Sequence, residues 1–432
     1  MRVLVLGGYG LIGLEIVRRL RADGFDVVGF GRSASKGLRV APGTRWIGAD
    51  IAMLTTPEAW RPHLENIDAV VNASGALQDG ARDNLAAVQD EAIRALIAAC
   101  EQSSVARFIQ ISAPGATADA STAFLRTKSV ADDALRASTL RWTIFKPGLV
   151  ISATAYGGTA LVRMLAAFPM VQPLVLGDAA VKTVAASDVA DAVSFALTHE
   201  QVTARRDFDL LERDDHTLRA VIEQLRAWLG FPAARAQIEL PKALGFTLAR
   251  CADVAGWLGW RSPLRTTALR VLAENIEGDA SAWEAVRGRP LMTLPETLHA
   301  LPSTLQERVS ARATLVFPVL VLTLAAFWLA SGLIGFWRAD DAARVLDGAV
   351  SAESAMMLVL GGGLLDVMIG AGLLVRRFTR MAALASIAVS LVYLVSGTAL
   401  TPHLWADPLG PLVKIFPAIA LALAVAALAE ER

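Results

Sequence analysis

The stretch RVLVLGGYGLIGLEIVRRLRADG, residues 2–24, decides the fold. After Arg2 it is an unbroken valine and leucine run, which suits a strand buried on both faces rather than one with a solvated side. Glycines end that run, and the apolar positions then take the three-to-four spacing of a helix that stops at Gly24. The turn between them reads GGYGLIG, which satisfies both Gly8-x-Gly10-x-x-Gly13 and Gly7-x-x-Gly10-x-x-Gly13. Glycines so placed permit a tight turn, let backbone amides approach a pyrophosphate, and let the helix lie close on its strand. The unpaired N–H groups of the first helical turn then face the phosphates. Gly7, Gly8, Tyr9, Gly10, Leu11, Ile12 and Gly13 are therefore expected to cradle a dinucleotide.

Outward from this unit the pattern repeats. DVVGFGRS, RWIGADI, AVVNASG, RFIQISA and WTIFKPG read as further buried strands, with helix-length segments such as 84–100 between them. Strands alternating with helices imply a parallel sheet wound on both faces, a Rossmann-like α/β fold. The second strand ends without the acidic residue that would hold a ribose diol and offers Arg32 and Ser33 instead. A guanidinium there matches a 2′-phosphate bidentately, which points to NADP(H) ahead of NAD(H); the alternative is a solvated loop arginine. Asp50 and Ile51 close the third strand, offering a carboxylate to an adenine amino group and an aliphatic side chain to its ring. Ala73, Ser74 and Gly75 keep the fourth strand's end free of bulk beneath the cofactor.

Composition bounds the rest. A chain of 432 residues exceeds one ordinary core, and 54% hydrophobic against 19% charged residues is oily for a soluble protein. Lysine plus arginine and aspartate plus glutamate each total 41, so no charge excess argues for nucleic acid. Cys100 and Cys251 stand far apart in apolar helical patterns and are expected to be buried and structural. The five histidines form no i, i+3 or i, i+4 pair, so no metal site is expected. Glycines interrupt the first ten residues before a secretory h-region could form, which places the first domain in the cytoplasm.

The motifs GGYGLIG, GRS, ADI, VVNASGA, ISA, a lysine-bearing helix and KPGLV, in that order over residues 1–230, resemble the atypical and extended short-chain dehydrogenase/reductase superfamily. Within it, TAFLRTKSVADDALRAS, FKPGLVISATAYGGTA and VAASDVADAV are most similar to the branch holding the accessory nucleotide-binding subunit of mitochondrial complex I. In active members a serine orients the carbonyl, a tyrosine donates the proton, and a lysine four residues later holds the nicotinamide ribose. The resemblance carries these roles onto Ser112, Phe124 and Lys128, and adds Pro147 of KPGLV to the cofactor-binding residues. Phe124 is the departure, because a phenyl ring has no proton to give. General acid catalysis contributes about 10²- to 10⁴-fold, so its loss slows a reductase without abolishing hydride transfer. Of the three tyrosines only Tyr156, after KPGLV, is placed to substitute; the alternative is a packing aromatic.

Residues 231–310 read as a small helical lobe, either on the substrate side or, bearing tryptophans among its arginines, resting on a membrane surface. The preceding helix carries Leu218, Ile222, Leu225 and Leu229 on one stripe. Residues 311–432 read as an all-α membrane domain with four spans near 313–337, 354–375, 381–400 and 409–429. The first is 25 uncharged residues, enough to cross about 30 Å of hydrocarbon. Arg308, Arg312, Arg376, Arg377 and Arg380 flank the spans on one side, which puts both termini and the nucleotide domain in the cytoplasm of an inner-membrane protein. GGGLLDVMIGAGLL in the second span resembles the DoxX-like family. Its Asp366, near mid-bilayer, suits a proton or quinone-headgroup role or an interhelical hydrogen bond, and Lys414 is placed to snorkel.

Two functions fit. One is an NADPH-preferring oxidoreductase held at the lipid bilayer, acting on a hydrophobic small molecule such as a quinone, isoprenoid or lipid carbonyl. The other is a non-catalytic NAD(P)H-binding protein, structural, assembling or redox-sensing, within a membrane-protein complex. Retained Ser112 and Lys128 favour the first, and Phe124 favours the second.

Overall fold

The structure is a computed structural model and describes residues 1–81 and 84–429. It divides into two compact units, Met1–Gly256 with Arg261–Ala311, and Trp257–Trp260 with Arg312–Arg432.

The first unit is built on strands β1 (Arg2–Leu6), β2 (Asp26–Gly31), β3 (Arg45–Gly48), β4 (Ala69–Asn72), β5 (Arg107–Ile111) and β6 (Arg141–Pro147). Short strands β7 (Leu149–Ile151), β8 (Val171–Leu174), β9 (Ala180–Val181) and β10 (Thr183–Ala185) lead to β11 (Arg206–Leu210). The main sheet is parallel in the order β11-β6-β5-β4-β1-β2-β3. Helices α1 (Leu11–Ala22), α2 (Ala34–Val40), α3 (Pro57–Trp60), α4 (Ala92–Glu101), α5 (Ala123–Ala137), α6 (Gly157–Ala166) and α7 (Ala186–Thr198) connect these strands.

The unbroken hydrophobic runs have their reason in two cores. Val3, Val5, Val71, Ile109, Phe145 and Phe208 pack toward α1 and α7, whereas Leu4, Leu6, Phe30, Val70, Phe108 and Ile144 pack toward Trp60, α4 and α5. Successive residues of a strand point to opposite faces, so a sheet covered twice needs apolar side chains at every position. The segment 84–100 becomes a π-helical turn, Ala86–Glu91, followed by α4.

Residues 231–256 and 261–310 belong to this first unit. Trp283, 1% exposed, meets Phe145 and Phe208 edge-on, each at 5.2 Å between ring centres, behind the sheet. Asp191 of α7 gathers Arg19 at 3.0 Å, Arg287 at 2.7 Å and Arg289 at 3.0 Å. Asp188 accepts the Met292 amide at 2.8 Å. Cys251 is exposed, against the expectation of a buried thiol, because its helix Lys242–Trp257 turns an apolar stripe with Leu244, Leu248 and Val254 outward. Cys100 is buried as expected.

Among the described residues three helices are long and apolar enough to cross a membrane: Leu305–Trp337, Ala352–Leu374 and Thr379–Leu400. The fourth apolar segment is shorter than the expected span 409–429. Gly410, with φ of 55°, and Pro411 break the chain there, and the helix Ile415–Leu428 has 14 residues. At 1.5 Å per residue it reaches about 21 Å, less than the hydrocarbon thickness. Leu322, Leu333, Ile334, Leu364, Met368, Val392 and Val395 project outward from the long helices, as lipid-facing residues do. Two of these helices cross closely, for a Cβ on Gly332 would lie 2.5 Å from the Gly363 carbonyl oxygen. Asp366 is buried beside this crossing and accepts hydrogen bonds from Ser331 at 2.7 Å and Tyr393 at 2.8 Å.

Candidate functional site

At the centre of the sheet β1 and β4 are neighbours, and the chain winds away from them in opposite directions. Open parallel sheets bind ligands outside the strand carboxyl ends at such a switch point. Gly7 leaves β1 there with φ of 68°, and a Cβ on it would lie 2.8 Å from the Ala73 carbonyl oxygen and 2.9 Å from the Ser74 Cα. A Cβ on Gly13 would lie 2.2 Å from the Gly7 carbonyl oxygen. The Gly10 amide donates to Gly7 O at 2.8 Å, closing the turn. The first helical bond of α1 runs from the Leu14 amide to Gly10 O at 3.1 Å, so the amides of Leu11, Ile12 and Gly13 precede it. No side chain caps this end. A narrow turn with uncapped amides at a helix N-terminus fits a pyrophosphate and leaves no room for larger residues.

The residues expected to meet the adenosine lie where β2 and β3 finish. Arg32 is exposed, and Ser33 caps α2 by accepting from the Lys36 amide at 3.3 Å. Asp50 is exposed but already accepts from the Ala52 amide at 3.1 Å, capping a short helical turn, and Ile51 is buried beside it. Trp46 is a residue that sequence reasoning missed. Its indole fills the space left by three glycines, since Cβ atoms on Gly8, Gly29 and Gly37 would stand 3.1, 2.4 and 2.1 Å from it. The signal was glycines in adjoining elements beside a single large aromatic.

The residues expected to meet the nicotinamide lie around a buried polar network. Asn72 donates to Gln110 at 2.9 Å and accepts from the Ser74 amide at 3.0 Å and the Ser74 hydroxyl at 2.5 Å. Gln89, from the π-helical turn, donates to the Ala76 carbonyl and accepts from Thr127 at 3.2 Å. It too was missed, because nothing in the sequence announces the π turn that aims it. Lys128, 6% exposed, donates to the Ile111 carbonyl at 2.9 Å, and its ammonium lies 5.7 Å from the centre of the Phe124 ring. A Cβ on Gly75 would come within 3.8 Å of the same ammonium nitrogen. Lys128, Gly75 and the Phe124 ring are thus brought together.

Ser112 is 4% exposed and donates its hydroxyl to Asp132, a fully buried carboxylate one turn beyond Lys128. Burial pushes the Asp132 carboxyl up to about 6, against the Ser112 hydrogen bond and the positive charges of Lys128, Arg136 and Lys146. Burial likewise lowers the Lys128 ammonium, while Asp132 opposes that shift. To orient a substrate carbonyl, Ser112 would have to serve two acceptors or leave Asp132. Pro147 ends β6 beside β11, and Tyr156 stands 49% exposed at the start of α6. Among the described residues Glu212, Asp214 and His216 cluster closely enough to hold an ion. The Glu212 oxygens, however, already accept from the amides of Thr183 at 3.0 Å and Leu294 at 2.7 Å, and from the Thr183 hydroxyl.

This strand order, with a glycine cradle at the switch point, is that of a Rossmann-like fold, whose ligands lie outside the strand carboxyl ends. Residues 7–200 match the NAD(P)H-binding family, and residues 325–423 match the DoxX-like family. The chain therefore joins an NAD(P)H-binding, oxidoreductase-like domain to a DoxX-like membrane domain. The Photosystem II assembly factor Ycf39 of Synechocystis is 44% identical over 77 residues, which span 18% of this chain and 23% of that relative. UDP-glucuronic acid 4-epimerase from Bacillus cereus, solved with UDP-glucuronic acid and NAD, is 16% identical with a TM-score of 0.52, over 72% of this chain and 99% of its own. The Bordetella bronchiseptica enzyme WbmH, solved with NAD+, is 17% identical with a TM-score of 0.53, over 69% and 96%. These two likenesses concern the fold.

Proposed function

We propose that the protein is a membrane-held, NADPH-preferring oxidoreductase whose substrate is a membrane-soluble carbonyl compound or quinone. The observation that carries this reading is the buried Lys128 beside Gly75 at the switch point, in the same chain as three helices apolar enough to cross a bilayer. NAD(P)H supplies the hydride when bound. The chain's own residues do the rest. Leu11, Ile12 and Gly13 offer amides to the pyrophosphate, Arg32 and Ser33 take the 2′-phosphate, Asp50 and Ile51 flank the adenine, and Lys128 holds the nicotinamide ribose. Ala73, Ser74, Gly75 and Pro147 line the nicotinamide side. Tyr156 is the candidate proton donor in place of Phe124, and a quinone could instead take its protons from water. The nucleotide unit faces the cytoplasm of an inner membrane, by the arginines that flank the spans.

A second reading has its own support: Phe124 lacks a proton, and the Ser112 hydroxyl is taken up by Asp132. The same domain would then bind NAD(P)H as a structural or sensing element, and the similarity to an assembly factor points the same way. Purified protein in detergent, given NADPH and short-chain quinones or lipid aldehydes, separates the two. Steady NADPH oxidation that depends on Lys128 supports the enzyme, whereas tight NADPH binding without turnover overturns it. Arg32→Asp should weaken NADPH relative to NADH; an unchanged ratio rejects the 2′-phosphate assignment.

A further inference from the structure

Tyr9 occupies the variable position of the glycine turn, yet its side chain reaches out of that turn to the end of β2. Its hydroxyl accepts the Ser33 amide at 3.2 Å, joining the pyrophosphate loop to the loop that carries Arg32. The ring is fixed on two sides. A Cβ on Gly31 would stand 2.5 Å from the Tyr9 Cε1, so only glycine at 31 leaves room for it, and the Trp46 ring centre is 5.8 Å away. A phenol that accepts one hydrogen bond still has its own proton to donate. Held by the Ser33 amide, that donor stands beside Ser33, the residue that follows Arg32.

We infer that Tyr9 is a specificity-determining residue: its hydroxyl, oriented by the Ser33 amide, donates to the 2′-phosphate of NADP(H). The inference rests on the NADP(H) reading of Arg32 and deepens it. A diol lacks the negative charge that strengthens such a hydrogen bond, so the contribution falls on NADPH and spares NADH.

The test is fluorescence titration of the full chain in detergent with NADPH and with NADH, for the wild type, Tyr9→Phe and Gly31→Ala. Tyr9→Phe keeps the ring between Gly31 and Trp46 and removes only the hydroxyl. It should weaken NADPH about ten- to a hundredfold, the range for a hydrogen bond to a charged group, and leave NADH within about twofold. Gly31→Ala, which displaces the ring, should reproduce the selective loss. Equal weakening of both cofactors makes Tyr9 a packing residue and overturns the inference, as does an unchanged NADPH affinity. Tighter NADPH binding by Tyr9→Phe also overturns it, because the phenol would then be blocking the Ser33 amide. A wild type that binds NADH more tightly than NADPH overturns the NADP(H) reading and this inference with it. A wild type that prefers NADPH while Tyr9→Phe changes nothing overturns the role of Tyr9 alone.

Discussion

Asp132→Asn probes the buried centre of the candidate site through stability rather than activity. The wild-type carboxyl is fully buried, takes one hydrogen bond from Ser112 on Oδ2, and leaves Oδ1 without a partner. Its pKa rises from the ordinary 3.8 to about 6 in the folded chain. Below both values the native and unfolded carboxyls are protonated, and the group is neutral to stability. As pH rises from about 4 to 6 the unfolded carboxyl loses its proton first. The native state then binds more protons, and stability falls through this window and stays lower above it. At about 1.4 kcal/mol per pH unit the loss approaches 3 kcal/mol. Asparagine keeps an acceptor for the Ser112 hydroxyl and removes the charge, so the variant should not show this loss. Amide hydrogen exchange in β5 and α5, measured in detergent between pH 4.5 and 7.5, gives the local stability of both proteins. The variant's stability relative to the wild type should rise by about 2 kcal/mol across the range. A difference flat to within about 1 kcal/mol would refute the claim that Asp132 is buried as a costly charge.

Phe124→Tyr puts a phenol four residues before Lys128 and should raise NADPH-dependent reduction of a carbonyl substrate about a hundredfold; an unchanged kcat would mean that proton donation does not limit turnover. Trp283→Ala removes the aromatic between Phe145 and Phe208 and should cost about 3–5 kcal/mol in urea unfolding of the nucleotide unit. A cost under about 1 kcal/mol would show that the sheet closes without the 281–287 helix. Gly332→Leu should prevent the membrane helices from crossing at Gly363, seen as loss of monodisperse protein in detergent. Gly335→Leu, where an added Cβ meets nothing within 4 Å, should behave as the wild type. If both variants behave alike, the close crossing is not what holds these helices together.

The order of the glycines, the double-sided strands and the uncharged spans was legible because each is a local consequence of one physical demand. Tight turns need glycine, a sheet covered twice needs apolar residues at every step, and lipid excludes charge. That was enough for the Rossmann-like domain and the membrane helices. In the fourth apolar segment the helix covers Ile415–Leu428, and the residues from 409 to Lys414 precede it as a turn at Gly410 and Pro411.

What only the tertiary structure decided lies in contacts between residues far apart in sequence. No local pattern says that Trp283 returns behind β6 and β11, that Trp46 lies against three glycines, that Tyr9 reaches Ser33, or that the Ser112 hydroxyl is taken by Asp132. The reason is that periodicity encodes which face of an element is apolar, a property of neighbours along the chain. The pairing of polar groups within a site depends instead on which elements the completed sheet brings side by side.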